Sequence, residues 1–188
     1  MAEQTLLVFA HGDEAAAFAE AGVPHLITGV GKINAALELT HAIAAARLGG
    51  LERVVVLGTA GAVGGSARLD SVYQIAAAVQ HDFSLPSRRL ELAGDPIAET
   101  AVIATGDVFV QSDEQRAALA ALGATLVDME TYAYASVCAR LGVPLQVFKT
   151  PSDFADSSTT MDEWDGVVVS KSRQLFEFAE DRLPELLA

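Results

Sequence analysis

Short apolar runs alternate with longer segments of helical periodicity along most of the chain. An apolar run of about four to eight residues that ends at glycine or at polar residues is typical of a strand covered on both faces. On this pattern we predict strands at residues 5–10, 25–30, 53–57, 71–79, 101–104, 125–127 and 143–149.

Apolar residues three and four positions apart mark the intervening helices. We predict helices at residues 13–21, 33–48, 112–122, 129–141 and 160–187. Asp13 and Glu14 favour the start of the first one, because negative charge stabilises the amino end of a helix. The polar segments 80–99 and 150–158 are predicted loops. Alternating strands and helices with short connections predict a single α/β layered domain over residues 1–188.

The composition narrows the classes of partner. Of the 188 residues, 51% are hydrophobic and 20% are charged, which is typical of a packed globular protein rather than a disordered one. The formal net charge of −13 argues against nucleic acid, which proteins bind through clustered lysines and arginines, and against anionic membranes. We therefore expect neither nucleic acid nor a membrane as a partner.

Other features of the whole chain set the expected location and cofactors. The chain starts without a basic leader and has no apolar run of about 18 residues, so we expect a cytoplasmic protein. Cys138 is the single cysteine, which excludes an intrachain disulfide and favours a buried, inert thiol. The histidines are scattered singly and do not form a metal-binding pattern. We expect no cofactor and no metal.

Small, acidic and aromatic residues directly follow the predicted strands. Ligands of open α/β sheets bind in crevices beyond the carboxyl ends of the strands, so these residues are expected to share one edge. They are residues 11–14, 58–61, 106–109, 128–130 and 152–156. The chain has no Walker loop, no Gly-x-Ser-x-Gly elbow and no His-Glu-x-x-His helix, and Gly29-x-Gly31 lacks the third glycine of a dinucleotide fingerprint.

Two motifs at these strand ends resemble motifs of the nucleoside phosphorylase superfamily. The segment Val-Asp-Met-Glu-Thr at 127–131 resembles its Val-Glu-Met-Glu-Ala helix start. The segment Lys-Thr-Pro-Ser-Asp-Phe-Ala-Asp at 149–156 resembles its Arg-x-x-Ser-Asp-x-Ala-Asp loop. Further segments resemble those of the family and occur in the same order along the chain, at residues 6–14, 28–32, 58–61 and 105–109. The likeness covers most of the chain and is greatest with the branch that cleaves methylthioadenosine and S-adenosylhomocysteine.

The resemblance implies a three-layer α/β/α sandwich with a central mixed, twisted sheet. It also implies an enzyme that hydrolyses the N-glycosidic bond of a purine nucleoside, most simply an adenine nucleoside such as methylthioadenosine or S-adenosylhomocysteine, without a cofactor. Related enzymes pair as dimers and lend a loop to the neighbour's pocket, so a homodimer is expected. The chain is shorter than usual between Glu14 and Val30 and in the loop 81–99, which would close over the substrate.

By position in these motifs, three acidic residues take the chemical roles. Glu14 matches the carboxylate that activates the attacking water, and Glu130 matches the one that accepts hydrogen bonds from the ribose 2′- and 3′-hydroxyls. Asp153 matches the acid that protonates purine N7. Each has an ordinary structural alternative: Glu14 and Glu130 as acids in the first turn of a helix, and Asp153 as the acceptor in a Ser-x-Asp turn.

The expected substrate contacts are neighbours of these acids. Phe109 would stack on the base, with an ordinary core phenylalanine as the alternative, and the backbone of Val110 would contact the base edge. Met129 would pack against the ribose, and Ser152 would orient Asp153. The remaining expected contacts are a floor of small residues under the ribose and one group near its 5′ end: Thr59, Ala60, Gly61 and His11. For Gly61, a plain tight turn is the alternative.

Two departures from the family pattern bear on the site. His11 stands where the thioether branch has an apolar methionine near the 5′ end, which favours a more polar 5′ substituent, as in another adenine nucleoside or futalosine. Lys149 replaces the usual arginine, which keeps the charge but loses the planar guanidinium fork.

Water is favoured over phosphate as the nucleophile. The phosphate arginines of related phosphorylases would fall within residues 16–17 and 54–57, where this chain has no cation, and Glu14 would repel phosphate. Two alternatives stay open. One is a phosphorylase whose anion site is rearranged around Arg88 or Arg89, and the other is a non-catalytic nucleoside-binding protein on the same fold.

Overall fold

The strands form one mixed sheet, and helices cover both of its faces. A computed structural model describes residues 4–46, 50–92 and 94–187, apart from the side chains of Met161 and Glu163. The strands are β1 (Gln4–Phe9), β2 (Leu26–Ile27), β3 (Leu51–Ala62), β4 (Tyr73–Gln80), β5 (Leu90–Glu91), β6 (Glu99–Thr105), β7 (Leu126–Asp128) and β8 (Leu145–Asp153). The helices are α1 (Ala16–Glu20), α2 (Lys32–Ala46), α3 (Asp113–Ala121), α4 (Thr131–Leu141) and α5 (Met161–Arg182), with 3-10 turns at Asp13–Ala15 and Pro184–Leu186.

Five of the strands close on one another. Strand β3 pairs with β8 in parallel and with β7 in antiparallel orientation. Strand β4 pairs antiparallel with β8 and parallel with β6, and β6 pairs parallel with β7. Strands β1 and β2 extend the sheet beyond β3, and β5 extends it beyond β4. This combination of parallel and antiparallel pairs confirms the predicted mixed sheet.

Alternate residues of the central strand enter opposite apolar layers. In β3, Val54 and Val56 belong to the cluster formed with α2 and α4. Val55 and Leu57 belong to the cluster formed with α1 and α5, as the two-residue repeat of a strand requires. All four side chains are fully buried. The predicted three-layer α/β/α sandwich is therefore confirmed.

Two strands continue beyond their predicted ends, and both corrections concern the site. The sequence predicts that one strand ends at residue 57 and that residues 150–158 form a loop, but β3 runs on through 58–61 and β8 continues to Asp153. The predictions are wrong there because the two segments pair with each other, with Thr59 opposite Thr150. Pairing between strands satisfies the backbone of small and polar residues that resemble a turn when read alone.

The second strand is shorter than predicted. Of the predicted span 25–30, only β2 pairs, and the strand cannot continue through Gly29 because this residue takes a positive φ angle of 84°. The predicted helix 33–48 corresponds to α2, and its predicted last residues, 47–48, lie outside the described part of the chain.

The last helix is shorter than predicted. Of the predicted span 160–187, α5 ends at Arg182, and Pro184 opens a separate 3-10 turn because proline lacks the N–H that would continue the helix. Within the ranges that the structure describes, no helix has the length and apolar character needed to cross a membrane.

Candidate active site

A cavity of about 460 Å³ opens beside the ends of β1, β6 and β7 and the last residues of β3 and β8. Its volume is within the usual range for small-molecule sites, about 300–1,000 Å³. It is lined by every residue that the sequence predicted to be catalytic or to contact the substrate: His11, Glu14, Thr59, Ala60, Gly61, Phe109, Val110, Met129, Glu130, Ser152 and Asp153. The prediction that the strand-end residues share one edge is therefore confirmed.

Glu14 lies at the 3-10 turn after β1, with only 3% of its surface exposed. Its Oε1 accepts hydrogen bonds from the Thr59 backbone N–H at 2.6 Å and from the Thr59 hydroxyl at 2.7 Å. Its Oε2 accepts one from the backbone N–H of His11 at 3.1 Å. One oxygen is thus held by two donors, while the other, with one described donor, keeps a lone pair for a molecule in the cavity.

Glu130 is the N-cap residue of α4 and is also buried. Its side chain does not cap the helix; instead, Oε1 accepts a hydrogen bond from the backbone N–H of Gly31 at 2.9 Å. Burial, together with the neighbouring Asp128 carboxylate, raises the pKa of Glu130 to about 8. A carboxyl group with a perturbed pKa in a cavity is typical of functional sites.

Asp153 ends β8 beside a β-bulge. The register with β3 shifts just before Asp153 and leaves Ser152 as the extra residue, and such bulges redirect the neighbouring side chains. The Ser152 hydroxyl donates to Asp153 Oδ2 at 2.7 Å, and the Ala155 backbone N–H donates to Oδ1 at 2.8 Å. The bond from Ala155 closes the backbone turn that was the structural alternative for Asp153. Asp153 therefore forms this turn and also lines the cavity.

Gly61 lies in β3 rather than in a tight turn. A Cβ atom at this position would lie 2.9 Å from the Ala155 Cβ and 3.0 Å from the Val127 Cγ1, which is too close for any side chain. The glycine therefore allows the segment after β8 to pack directly on β3, and this packing brings Asp153 to the cavity.

Phe109 is half-buried and lines the cavity, so it is not an ordinary core phenylalanine. Three charged residues join its loop to the loop that carries Val30. Asp107 Oδ1 accepts a hydrogen bond from the Lys32 backbone N–H at 2.8 Å, and the Asp107 backbone N–H donates to Asp82 at 2.8 Å. The Lys32 ammonium completes the connection with an ion pair to Asp82 at 2.6 Å.

Lys149 is a buried cation behind the acidic residues, with 1% of its surface exposed. Its Nζ lies 3.1 Å from Asp128 Oδ2. The Asp128 carboxylate also accepts hydrogen bonds from the hydroxyls of Thr105 at 2.6 Å and Thr131 at 2.5 Å. The sequence marked Lys149 as a departure from the family pattern but did not indicate this contact, because Asp128 is distant along the chain.

The ammonium of Lys149 also lies beside Glu14. A Cβ atom on Gly58 would be 3.1 Å from both the Lys149 Nζ and the Glu14 Oε1, so both groups lie over this glycine. Burial by itself would lower the pKa of Lys149, but the carboxylates of Asp128, Glu14 and Glu130 outweigh it and the pKa is raised. Lys149 therefore stays charged and offsets part of the negative charge of all three.

Trp164 and Asp165, near the start of α5, line the cavity as well, and sequence reasoning missed both. The one available signal was weak: Trp164 is the only tryptophan in the chain.

No lysine or arginine is among the described lining residues. Arg89, one of the alternative phosphate ligands, pairs with Glu91 at 2.7 Å instead. No group of three or more His, Cys, Asp and Glu side chains among the described residues is placed to hold a metal ion.

Comparison with known proteins points to one family. Residues 87–181 match the family model described as the Phosphorylase superfamily. An aminodeoxyfutalosine nucleosidase of Helicobacter pylori is 27% identical over 183 residues, which cover 84% of this chain and 78% of that protein. The 5′-methylthioadenosine/S-adenosyl homocysteine nucleosidase of H. pylori superposes with a TM-score of 0.84 at 21% identity, covering 98% of this chain and 99% of that chain.

A second solved structure gives the same fold. The 5′-methylthioadenosine/S-adenosylhomocysteine nucleosidase of Colwellia psychrerythraea, in complex with adenine, superposes with a TM-score of 0.80 at 20% identity. The superposition covers 100% of this chain and 95% of that chain.

Removal of the buried cation should destabilise the protein in a pH-dependent way. We expect Lys149→Met to lower the free energy of unfolding at pH 8 by about 3–5 kcal/mol, because a buried carboxylate loses its partner. The loss should shrink at pH 5. The pKa of Glu130 is about 8 in the folded protein and near 4.5 in the unfolded chain, so folding takes up a proton between pH 4.5 and pH 8. At pH 5 Glu130 is therefore neutral in the folded protein and no longer repels the neighbouring carboxylates.

Urea denaturation at the two pH values measures this effect. Lys149→Arg, which keeps the charge, is the control and should retain the pH dependence of the wild type. An equal loss of stability at pH 5 and pH 8 in Lys149→Met would contradict this account.

Proposed function

We propose, because the chain belongs to the phosphorylase superfamily, that it is a purine nucleosidase, which hydrolyses the N-glycosidic bond of a purine nucleoside. One observation carries the proposal: Glu14, Glu130 and Asp153 line a single cavity whose described lining has no lysine or arginine. Three carboxyl groups of this kind can activate water, hold a sugar and protonate a base. The nucleosidase names of the similar proteins support the same reaction class.

Glu14 would act as the general base. Its Oε1 is held by the two donors of Thr59, which leaves Oε2 to take a proton from a water molecule. The oxygen of this water would bond to C1′ of the ribose as the bond between C1′ and N9 breaks. The negative charge of Glu14 would also stabilise the positive charge that develops on the sugar.

Asp153 would act on the leaving group. The electron pair of the broken C1′–N9 bond stays with the purine, and a proton from the Asp153 carboxyl to N7 neutralises the charge. The hydrogen bond from Ser152 supports this role because it holds one carboxyl oxygen in a fixed direction. Phe109 and Val110, which line the cavity, would contact the base itself.

Glu130 would hold the ribose by accepting hydrogen bonds from the 2′- and 3′-hydroxyls. These bonds strengthen as the sugar becomes positively charged, so they favour the transition state over the bound substrate. Burial and Asp128 raise the pKa of Glu130 to about 8 despite the neighbouring Lys149 ammonium. When ionised, the carboxylate would accept both bonds; when protonated, it would accept one and donate the other. Met129 and the residues Thr59 to Gly61 would pack against the sugar.

Water suits this site better than phosphate does. Phosphate would meet the negative charge of Glu14 without a described cation on the lining, and Lys149 is engaged with Asp128. The proposed substrates are adenine nucleosides such as methylthioadenosine and S-adenosylhomocysteine. A futalosine-type nucleoside is included, because His11 gives one wall a polar group and a similar protein is an aminodeoxyfutalosine nucleosidase.

Removal of the proposed acid tests the mechanism. We expect wild-type protein to release adenine from methylthioadenosine in phosphate-free buffer. Asp153→Asn should lose roughly 10²–10⁴-fold in turnover, the usual contribution of a general acid, while adenine still binds because the amide keeps the size of the side chain. Chromatography measures base release, and calorimetric titration with adenine measures binding.

Asp162→Asn is the matched control, because Asp162 is exposed and is not on the described lining. It should keep the wild-type rate. Unchanged turnover in Asp153→Asn would remove this residue as the acid.

We also propose a homodimer. The exposed side chains of Val30, Ile33 and Leu37 form an apolar ridge at the start of α2, and Ile33 is 79% exposed. Val30 also lines the cavity, as does the half-exposed Val108, so the ridge is continuous with the cavity mouth. A second copy of the chain on this ridge would bury apolar surface and exclude water from the bound nucleoside.

A charge on the ridge should separate the two copies. We expect light scattering at micromolar concentration to give a dimer for the wild type and a monomer for Ile33→Glu, whose nucleosidase activity should fall because the cavity mouth is uncovered. Leu122→Glu, at an exposed position at the end of α3, is the control and should stay dimeric. A monomeric wild type would contradict the proposal.

A further inference from the structure

Trp164 makes a side-chain contact inside the proposed active site. Its indole Nε1–H donates a hydrogen bond to the Thr59 hydroxyl at 3.1 Å, across 105 residues of sequence. Its ring packs edge to face against His11, with 5.3 Å between the ring centres and an angle of 81° between the planes. Trp164 therefore touches both residues that hydrogen-bond the Glu14 carboxylate.

The direction of these hydrogen bonds is fixed by chemistry. An indole N–H can only donate, so the Thr59 oxygen must act as acceptor toward Trp164. The single hydrogen of the Thr59 hydroxyl is then free to point at Glu14 Oε1, 2.7 Å away. Hydrogen bonds in such a chain polarise one another, so the donation from Trp164 strengthens the bond from Thr59 to Glu14.

The packing against His11 acts on the other carboxylate oxygen. The backbone N–H of His11 donates to Glu14 Oε2 at 3.1 Å. The Trp164 ring packs against the side chain of this same residue, His11. One residue thus steadies the donors of both oxygens of Glu14, through a hydrogen bond on one side and through ring contact on the other.

We propose that Trp164 is a positioning residue for Glu14, which it holds through Thr59 and His11 in the orientation that receives the proton of water. This inference rests on the proposed function, because it presumes that Glu14 is the general base. Trp164 itself takes no proton. Its effect is to keep Oε1 occupied, so that Oε2 is the oxygen directed at the attacking water.

The substitution Trp164→Phe separates the hydrogen bond from the packing, because phenylalanine keeps a ring beside His11 and removes the N–H. We expect kcat for methylthioadenosine to fall by roughly three- to tenfold, the effect of one lost neutral hydrogen bond. The KM for the nucleoside and the inhibition constant of adenine should stay within twofold of wild type, because the base and ribose contacts are untouched. Val169→Ala, at an exposed position of α5, is the control and should leave all three constants unchanged.

A double-mutant cycle with Thr59 distinguishes positioning from a structural role. In Thr59→Val, the hydroxyl that links Trp164 to Glu14 is absent, so Trp164→Phe should cause no further loss of kcat. In Thr59→Ser, the hydroxyl remains, and Trp164→Phe should again cost three- to tenfold. Losses that multiply in the Thr59→Val background would overturn the proposal, as would an unchanged kcat in Trp164→Phe alone. Thermal unfolding of each variant shows that the protein measured is folded.

A failure of the positioning role can be distinguished from a failure of the proposed function. If wild-type protein releases no base from any purine nucleoside, the proposed function fails, and this inference fails with it. If wild-type protein is active and the cycle shows no coupling between Trp164 and Thr59, the positioning role alone is wrong.

Discussion

The arrangement of the site depends on one buried ammonium group. Glu14, Asp128 and Glu130 lie close to one another with little access to water, and like charges in such surroundings repel each other strongly. Lys149 pairs with Asp128 and lies near Glu14 above Gly58, whose lack of a side chain leaves room for both groups. Without this cation, the carboxyl groups would have to take up protons or move apart, and the cavity would lose its pair of acceptors.

The strands place this cation and the acids together. Strands β3 and β8 run in parallel through the centre of the sheet, so Gly58 lies opposite Lys149 and Gly61 lies opposite Asp153. The bulge at Ser152 precedes Asp153, which lies beside Gly61, while Thr59 hydrogen-bonds Glu14. The separation between the proposed base and the proposed acid thus follows from a few residues of strand.

The sequence predicted much of the fold and of the candidate site, because both depend on local patterns. The residues that follow the apolar runs include Glu14, Glu130 and Asp153, and these do line one cavity. Contacts between distant segments were not predictable in this way. The extension of β3 depends on its pairing with β8, which lies far along the chain. The contact of Trp164 with Thr59 depends on the packing of α5 beside the sheet.

The most direct measurement is base release from a panel of purine nucleosides, with and without phosphate. Methylthioadenosine, S-adenosylhomocysteine, adenosine and a futalosine-type nucleoside would each be incubated with the protein, and the products separated by chromatography. We expect free base and an unphosphorylated sugar at a rate that does not depend on phosphate. Release that requires phosphate, with formation of a sugar phosphate, or no release from any nucleoside, would contradict it.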